Sequence, residues 1–187
     1  MGAYELIVVY SKEDRRQNIE DSFKMIKTIL FVCTGNTCRS AMAEGIFKKM
    51  LSERKEDNKR FNIISAGISA LPGMSPTPEA ISVMFEQGID ISQHKALPLQ
   101  EDLVKKADLI LVMSNKHQDY IQIKFPFAQN KVFLIKKYAL KSGLKNIQNN
   151  IKNYEIVDPI GKPLDFYKTI AEELKENLKK IIDRIIE

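Results

Sequence analysis

Hydrophobic and polar positions fall into blocks whose period changes along the chain. Residues 5–10, Glu-Leu-Ile-Val-Val-Tyr, read as a short strand, and the charged stretch 12–27 as a helix with Ile19, Phe23 and Ile26 on one face. Residues 28–33, Thr-Ile-Leu-Phe-Val-Cys, are an unbroken β-branched and apolar run, the pattern of a strand buried on both faces of a parallel sheet. The run ends in the turn chemistry of Thr34-Gly35-Asn36-Thr37. Met42, Ile46, Phe47, Met50 and Leu51 then recur at helical spacing, which predicts an amphipathic helix over 40–54. A charged loop over 53–60 leads to a second strand over 61–65, ending at Ala66-Gly67. Thr77-Pro78-Glu79 combines a capping hydroxyl, a proline at the first helical position and an acid in the first turn. Ile81, Met84 and Phe85 mark the buried face of that helix and Gly88 its end. A short helix is predicted over 99–107, a third strand over 108–113, a helix over 115–124 and a fourth strand over 131–135. Residues 139–155 are polar and read as a loop. The last helix starts with Asp165 as its cap and carries the stripe Phe166, Ile170, Leu174, Leu178, Ile181 and Ile185.

Helical crossovers between buried strands imply an α/β fold, a three-layer α-β-α sandwich round a central four-stranded parallel sheet of flavodoxin-like or Rossmann-like topology. Ligands of such sheets bind beyond the carboxyl ends of the strands. The chain has 187 residues, 44% of them hydrophobic, which suits one packed domain. No apolar run approaches the about 20 residues of a membrane span, and no signal peptide precedes the first strands. Met1-Gly2 lacks the Ser or Thr that myristoylation needs, since Leu6 stands there. A cytoplasmic protein without a membrane partner is the expectation. The net charge of +5 permits nucleic-acid binding, but the basic residues are spread thinly, as in Lys48-Lys49 and Lys136-Lys137, so no nucleic-acid partner is expected. Two cysteines cannot staple a secreted fold.

Those two cysteines share one short segment, Cys33-Thr34-Gly35-Asn36-Thr37-Cys38-Arg39-Ser40, between the first core strand and the first core helix. Five residues separate Cys33 from Arg39, the length of a loop that curls round one tetrahedral anion. Inward N–H groups and the positive end of the following helix would hold that anion. Arg39 can bond two phosphate oxygens in its planar fork. A cysteine at the centre of that field is favoured as thiolate, and Ser40 can donate a hydrogen bond to its sulfur. A thiolate aimed at a bound phosphate is a phosphoryl-transfer nucleophile.

Cys-x5-Arg-Ser is the signature of cysteine-dependent phosphatases, and in its strand-loop-helix setting the segment resembles the low-molecular-weight protein-tyrosine-phosphatase family. Ser65-Ala66-Gly67, Pro78-Glu79-Ala80, residues 108–113 and Val157-Asp158-Pro159-Ile160-Gly161 extend the resemblance over 29–187. The resemblance implies a phosphatase domain over 29–187, preceded by an N-terminal extension over 1–28. Residues 1–24 would then be either an added strand and helix or a stretch before a start at Met25. It implies a catalytic trio of Cys33, Arg39 and Asp158, with Asp158 as the acid that protonates the leaving group and then the base on water. Thr34, Gly35, Asn36, Thr37, Cys38, Arg39 and Ser40 would hold the phosphate, and Asn36 would keep the loop open in a left-handed conformation.

Thr37 is the specificity position. Tyrosine-specific members usually carry a larger aliphatic residue there, whereas Thr resembles the bacterial protein-arginine-phosphatase branch. Phosphoarginine on proteins is therefore the expected substrate, with phosphotyrosine as the alternative. Ile160 departs from both branches, which usually place an aromatic residue after Asp-Pro. Cys38 can form a protective disulfide with Cys33 or simply pack behind the loop. A phosphoprotein-binding module without turnover is a reading of another class. An arsenate reductase would need cysteines beyond Cys38 for a disulfide cascade. Cys33 as a plain core thiol and Asp158 as a turn residue are the bland readings. His94 and His117 lack metal-ligand spacing and are expected to be structural, so neither a metal nor a cofactor is expected. A monomer is expected.

Overall fold

The computed structural model describes residues 28–54, 61–140 and 154–186. The strand and helix expected over 5–10 and 12–27 lie outside these residues, as does most of the polar loop expected over 139–155. The elements run β1 (Thr28–Cys33), α1 (Arg39–Glu53), β2 (Asn62–Gly67), α2 (Pro78–Glu86), α3 (Glu101–Lys106), β3 (Leu109–Val112), α4 (Asn115–Lys124), β4 (Val132–Leu134), α5 (Ile135–Ala139) and α6 (Leu164–Ile186). The four strands form one sheet in the order β2-β1-β3-β4, and every pairing is parallel.

Along β1, Ile29, Phe31 and Cys33 enter one core while Leu30 and Val32 enter the other. This is the period-two alternation of a strand covered on both faces. The first core takes α1, α2 and α6 through Phe47, Met84 and Leu174. The second takes α3 and α4 through Val104 and Ile121. Each Leu, Ile or Phe fully buried in these layers is worth about 1.5–3 kcal/mol against leaving it in water. The expected three-layer α/β sandwich is therefore the observed one.

Local departures have physical reasons. Phe85 is 72% exposed, because the nine-residue α2 turns Ala80, Val83 and Met84 inward at i, i+3 and i+4 and leaves Phe85 about 100° further round. α6 begins at Leu164, so Asp165 sits in its first turn, still favourable beside the N-terminal dipole, rather than at the cap. Its buried stripe also includes Tyr167, Ala171 and Ile182, while Phe166 and Ile185 only border it. The fourth strand is shorter than the apolar run that predicts it. Among the described residues β4 is an edge strand whose only neighbour, β3, has four residues, and pairing ends at Val112–Leu134, after which Ile135 opens α5.

Candidate active site

The carboxyl ends of β1 and β2 meet where Cys33 pairs with Gly67. A Cβ on Gly67 would stand 2.5 Å from the Thr34 carbonyl oxygen and 2.9 Å from the Asn36 nitrogen. Only glycine lets the loop after β1 settle on the end of β2 in this way. The loop is then tied down along its length. The Cys33 and Thr34 carbonyls accept the Ile68 and Ser69 N–H groups at 3.0 and 2.9 Å, and the Thr37 carbonyl accepts the Thr77 N–H at 3.0 Å.

Asn36 makes the turn. Its φ is +57°, in the left-handed region that Asn tolerates better than most residues, and it is fully buried. Its Nδ2 donates to Ser40 Oγ and Ser65 Oγ, both at 2.8 Å, and its Oδ1 accepts the Leu97 N–H at 2.8 Å. Its backbone N–H points at Cys33 Sγ, 3.2 Å away. Ser40 Oγ lies 3.0 Å from the same sulfur. Because that oxygen already accepts from Asn36, its own proton is available to the sulfur. Two donors therefore converge on the one sulfur.

The loop opens directly into α1, whose first turn carries no acidic residue and whose N-cap, Cys38, makes no side-chain capping bond. The helix therefore presents uncapped N–H groups and the positive end of its dipole to the loop. Arg39 is only 4% exposed. Its Nη1 donates to the Ile156 carbonyl at 3.0 Å and its Nη2 to the Asp158 carboxylate. Its Nε has no partner among the described residues. A buried donor left unmet is costly, so an anion held in the loop would remove a penalty as well as gain a bond. Asp158 also accepts the Ile160 N–H at 3.2 Å and remains partly open to solvent.

Cys38 is buried, as is Cys33, and the two sulfurs are not bonded to each other. The Cys38 sulfur lies 3.5 Å from Thr77 Oγ1, 3.7 Å from Thr37 Oγ1 and 3.8 Å from the Tyr167 hydroxyl. Burial pushes the Tyr167 hydroxyl up to about 12, so it stays a proton donor at neutral pH.

A second ring supports the first. Ser65 passes the Asn36 contact on to Glu44 by donating to its Oε2 at 2.6 Å, and His94 Nε2 donates to the Asn36 carbonyl at 3.0 Å. His117 Nε2 lies 3.0 Å from Thr34 Oγ1. The structure thus brings Asp158 to residues 33–40, the arrangement that the family resemblance implies. Glu44, Leu97 and the two histidines join them unforeseen. The chain has only two histidines, and both touch the same eight-residue loop. Among the described residues, no group of three or more His, Cys, Asp or Glu converges to hold a metal.

The model of the low molecular weight phosphotyrosine protein phosphatase family matches residues 28–187. The chain is 38% identical to a protein-arginine-phosphatase from Bacillus subtilis, over 84% of this chain and 95% of that protein. It is 36% identical to a probable low molecular weight protein-tyrosine-phosphatase, EpsP, from Ralstonia nicotianae, over 86% of this chain and 97% of that one. Its fold superposes on a solved YwlE mutant from Bacillus subtilis with a TM-score of 0.76 and 35% identity, covering 86% of this chain and 99% of that one. The strand-loop-helix anion site and these likenesses agree, and the chain belongs to the low molecular weight phosphotyrosine protein phosphatase family.

Proposed function

We propose that this protein removes phosphoryl groups from arginine side chains of proteins through a phosphocysteine formed at Cys33. The observation that carries the reading is the Cys33 sulfur, set between the Ser40 hydroxyl and the Asn36 N–H beside a buried guanidinium with an unmet Nε. The substrate enters as a phosphoryl group in the loop, where N–H groups and Arg39 take its oxygens. Arg39 then exchanges its contact with Asp158 for the anion, and the carboxyl is freed toward the leaving group. The Cys33 thiolate attacks phosphorus, the P–N bond breaks, and protonated Asp158 gives its proton to the departing nitrogen. Water then attacks phosphorus as Asp158 takes its proton, the S–P bond breaks, and inorganic phosphate leaves with the thiolate restored.

Thr37 supports arginine over tyrosine. It places a small hydroxyl beside Cys38 where a bulkier aliphatic side chain would narrow the loop rim. Ile160, 63% exposed just past Asp158-Pro159, is itself no aromatic face for a phenol ring to stack on. Cys38 completes the reading as the redox partner of Cys33. The phosphatase domain occupies 29–187 with residues 1–28 as an extension, and the protein acts in the cytoplasm as a monomer without metal, membrane or nucleic acid.

The test is kcat/KM on one peptide phosphorylated at arginine or at tyrosine, with Cys33→Ala as control and Thr37→Ile as the specificity variant. Wild type prefers the arginine form, Thr37→Ile shifts the ratio toward tyrosine, and Cys33→Ala hydrolyses neither. A wild-type preference for phosphotyrosine assigns the enzyme to the other substrate class. An unmoved ratio in Thr37→Ile removes Thr37 from the explanation.

A further inference from the structure

β1 and β3 are paired neighbours, so the loops leaving their carboxyl ends start side by side. The loop after β1 opens with Thr34, one residue past the nucleophile. The loop after β3 opens α4 with Ser114 at its N-cap and His117 in its first turn. His117 is 1% exposed, buried on α4 together with the core residue Ile121. Its ring bridges two hydroxyls, with Nε2 3.0 Å from Thr34 Oγ1 and Nδ1 2.8 Å from Ser114 Oγ. Ser114 has the ideal residue type for an N-cap, yet its side chain caps nothing and turns to the ring instead.

We propose that His117 is a positioning residue of the phosphate loop, which together with Ser114 orients the Thr34 hydroxyl and so holds the first residue after the nucleophile in its anion-binding conformation. The proposal rests on the loop being the phosphoryl-transfer site, and it is independent of which phosphorylated residue is preferred.

The groups facing the ring keep it neutral. Burial lowers the pKa most, Arg39 and Lys116 lower it further, Asp158 and Glu155 oppose them, and the result is about 4. A neutral imidazole has one donor and one acceptor nitrogen. One hydroxyl must therefore give a proton to the ring while the other accepts one. The tautomer sets which way the Ser114–His117–Thr34 chain runs, and in either sense Thr34 Oγ1 is held at the ring's Nε2. A protonated ring would donate at both nitrogens and add a second cation beside Arg39. Its neutrality lets it brace the loop without competing for the anion.

Two shorter amides separate the two ring nitrogens. Gln at 117 carries its amide out to about the reach of Nε2 and retains the bond to Thr34. Asn reaches only the position of Nδ1 and retains the bond to Ser114. The experiment compares His117→Gln, His117→Asn, Thr34→Val and the His117→Asn/Thr34→Val double variant with wild type. Its readouts are the affinity for inorganic phosphate by calorimetry, kcat and KM on a phosphorylated peptide, and Tm. His117→Asn weakens phosphate binding and raises KM by about tenfold, the worth of one buried hydrogen bond, with a smaller change in kcat. His117→Gln recovers most of that loss. Thr34→Val matches His117→Asn, and the double variant is no worse than either single one. Equal losses in the Gln and Asn variants overturn the proposal. So does a double variant in which the two losses multiply, or losses that follow Tm rather than the bond to Thr34. Turnover by wild type in the same samples tests the parent reading separately.

Discussion

Replacing Asn36 by Ala tests how the loop is held, and its cost can be worked from the contacts. The change removes three hydrogen bonds of 2.8 Å from a fully buried side chain. Two of the partners recover, because Ser65 still donates to Glu44 and Ser40 still lies beside the Cys33 sulfur. The third does not. The Leu97 N–H is left without its acceptor, at about 1–3 kcal/mol. An alanine held at the φ of +57° adds about 1 kcal/mol. The sum is about 2–4 kcal/mol, which for a chain of this size lowers Tm by roughly 4–16 °C. Because the loop itself loosens, kcat/KM falls as well, by about tenfold or more. The assay is thermal unfolding beside phosphopeptide hydrolysis. Asn36→Gly separates the two causes. It relieves the backbone without restoring the bonds, so it regains about 1 kcal/mol of stability and little activity. A Tm within about 1 °C of wild type in Asn36→Ala would refute the reasoning, as would full activity in Asn36→Gly, which would reduce the role of Asn36 to its backbone angle.

Two further outcomes follow from the same site. Gly67→Ala forces a methyl against the Thr34 carbonyl and the Asn36 nitrogen, backbone atoms that cannot rotate away. It lowers kcat/KM by about tenfold or more, the cost of a misplaced loop, and wild-type kinetics would disprove the close approach. Mild hydrogen peroxide oxidises the Cys33 thiolate to the sulfenic acid, and the Cys38 thiol displaces water from it to form a disulfide that thiols reverse. Mass spectrometry that finds irreversible over-oxidation of Cys33 with Cys38 untouched would contradict the redox pairing.

The candidate anion site is readable in the sequence because its chemistry is contiguous. Cys33, Arg39 and Ser40 sit within eight residues, between a run of strand character and a helical period, so spacing alone places them at a helix N-terminus. Asp158 is different. It lies 119 residues from Arg39, and only resemblance to a family pointed to it before the fold brought the two together. The supporting ring carried no local signal. Ser65, His94 and His117 reach the loop from 29, 58 and 83 residues away, and an isolated Ser or His on a strand, turn or helix has no periodicity to announce its partner. Phe85 shows the opposite failure. Hydrophobicity marked it as core, but a nine-residue helix buries only a narrow face, and the smaller Ala80 and Val83 occupy it. Apolar character likewise overstated β4, whose length is set by its neighbour rather than by its own residues.

The central claim is that the phosphoryl group passes through Cys33. A single turnover of an arginine-phosphorylated peptide, quenched and analysed by mass spectrometry, tests it directly. The account predicts phosphate on Cys33 that appears no more slowly than product and is absent in Cys33→Ala, which also forms no product. Product formation without phosphorylated Cys33, or turnover by Cys33→Ala, would contradict it.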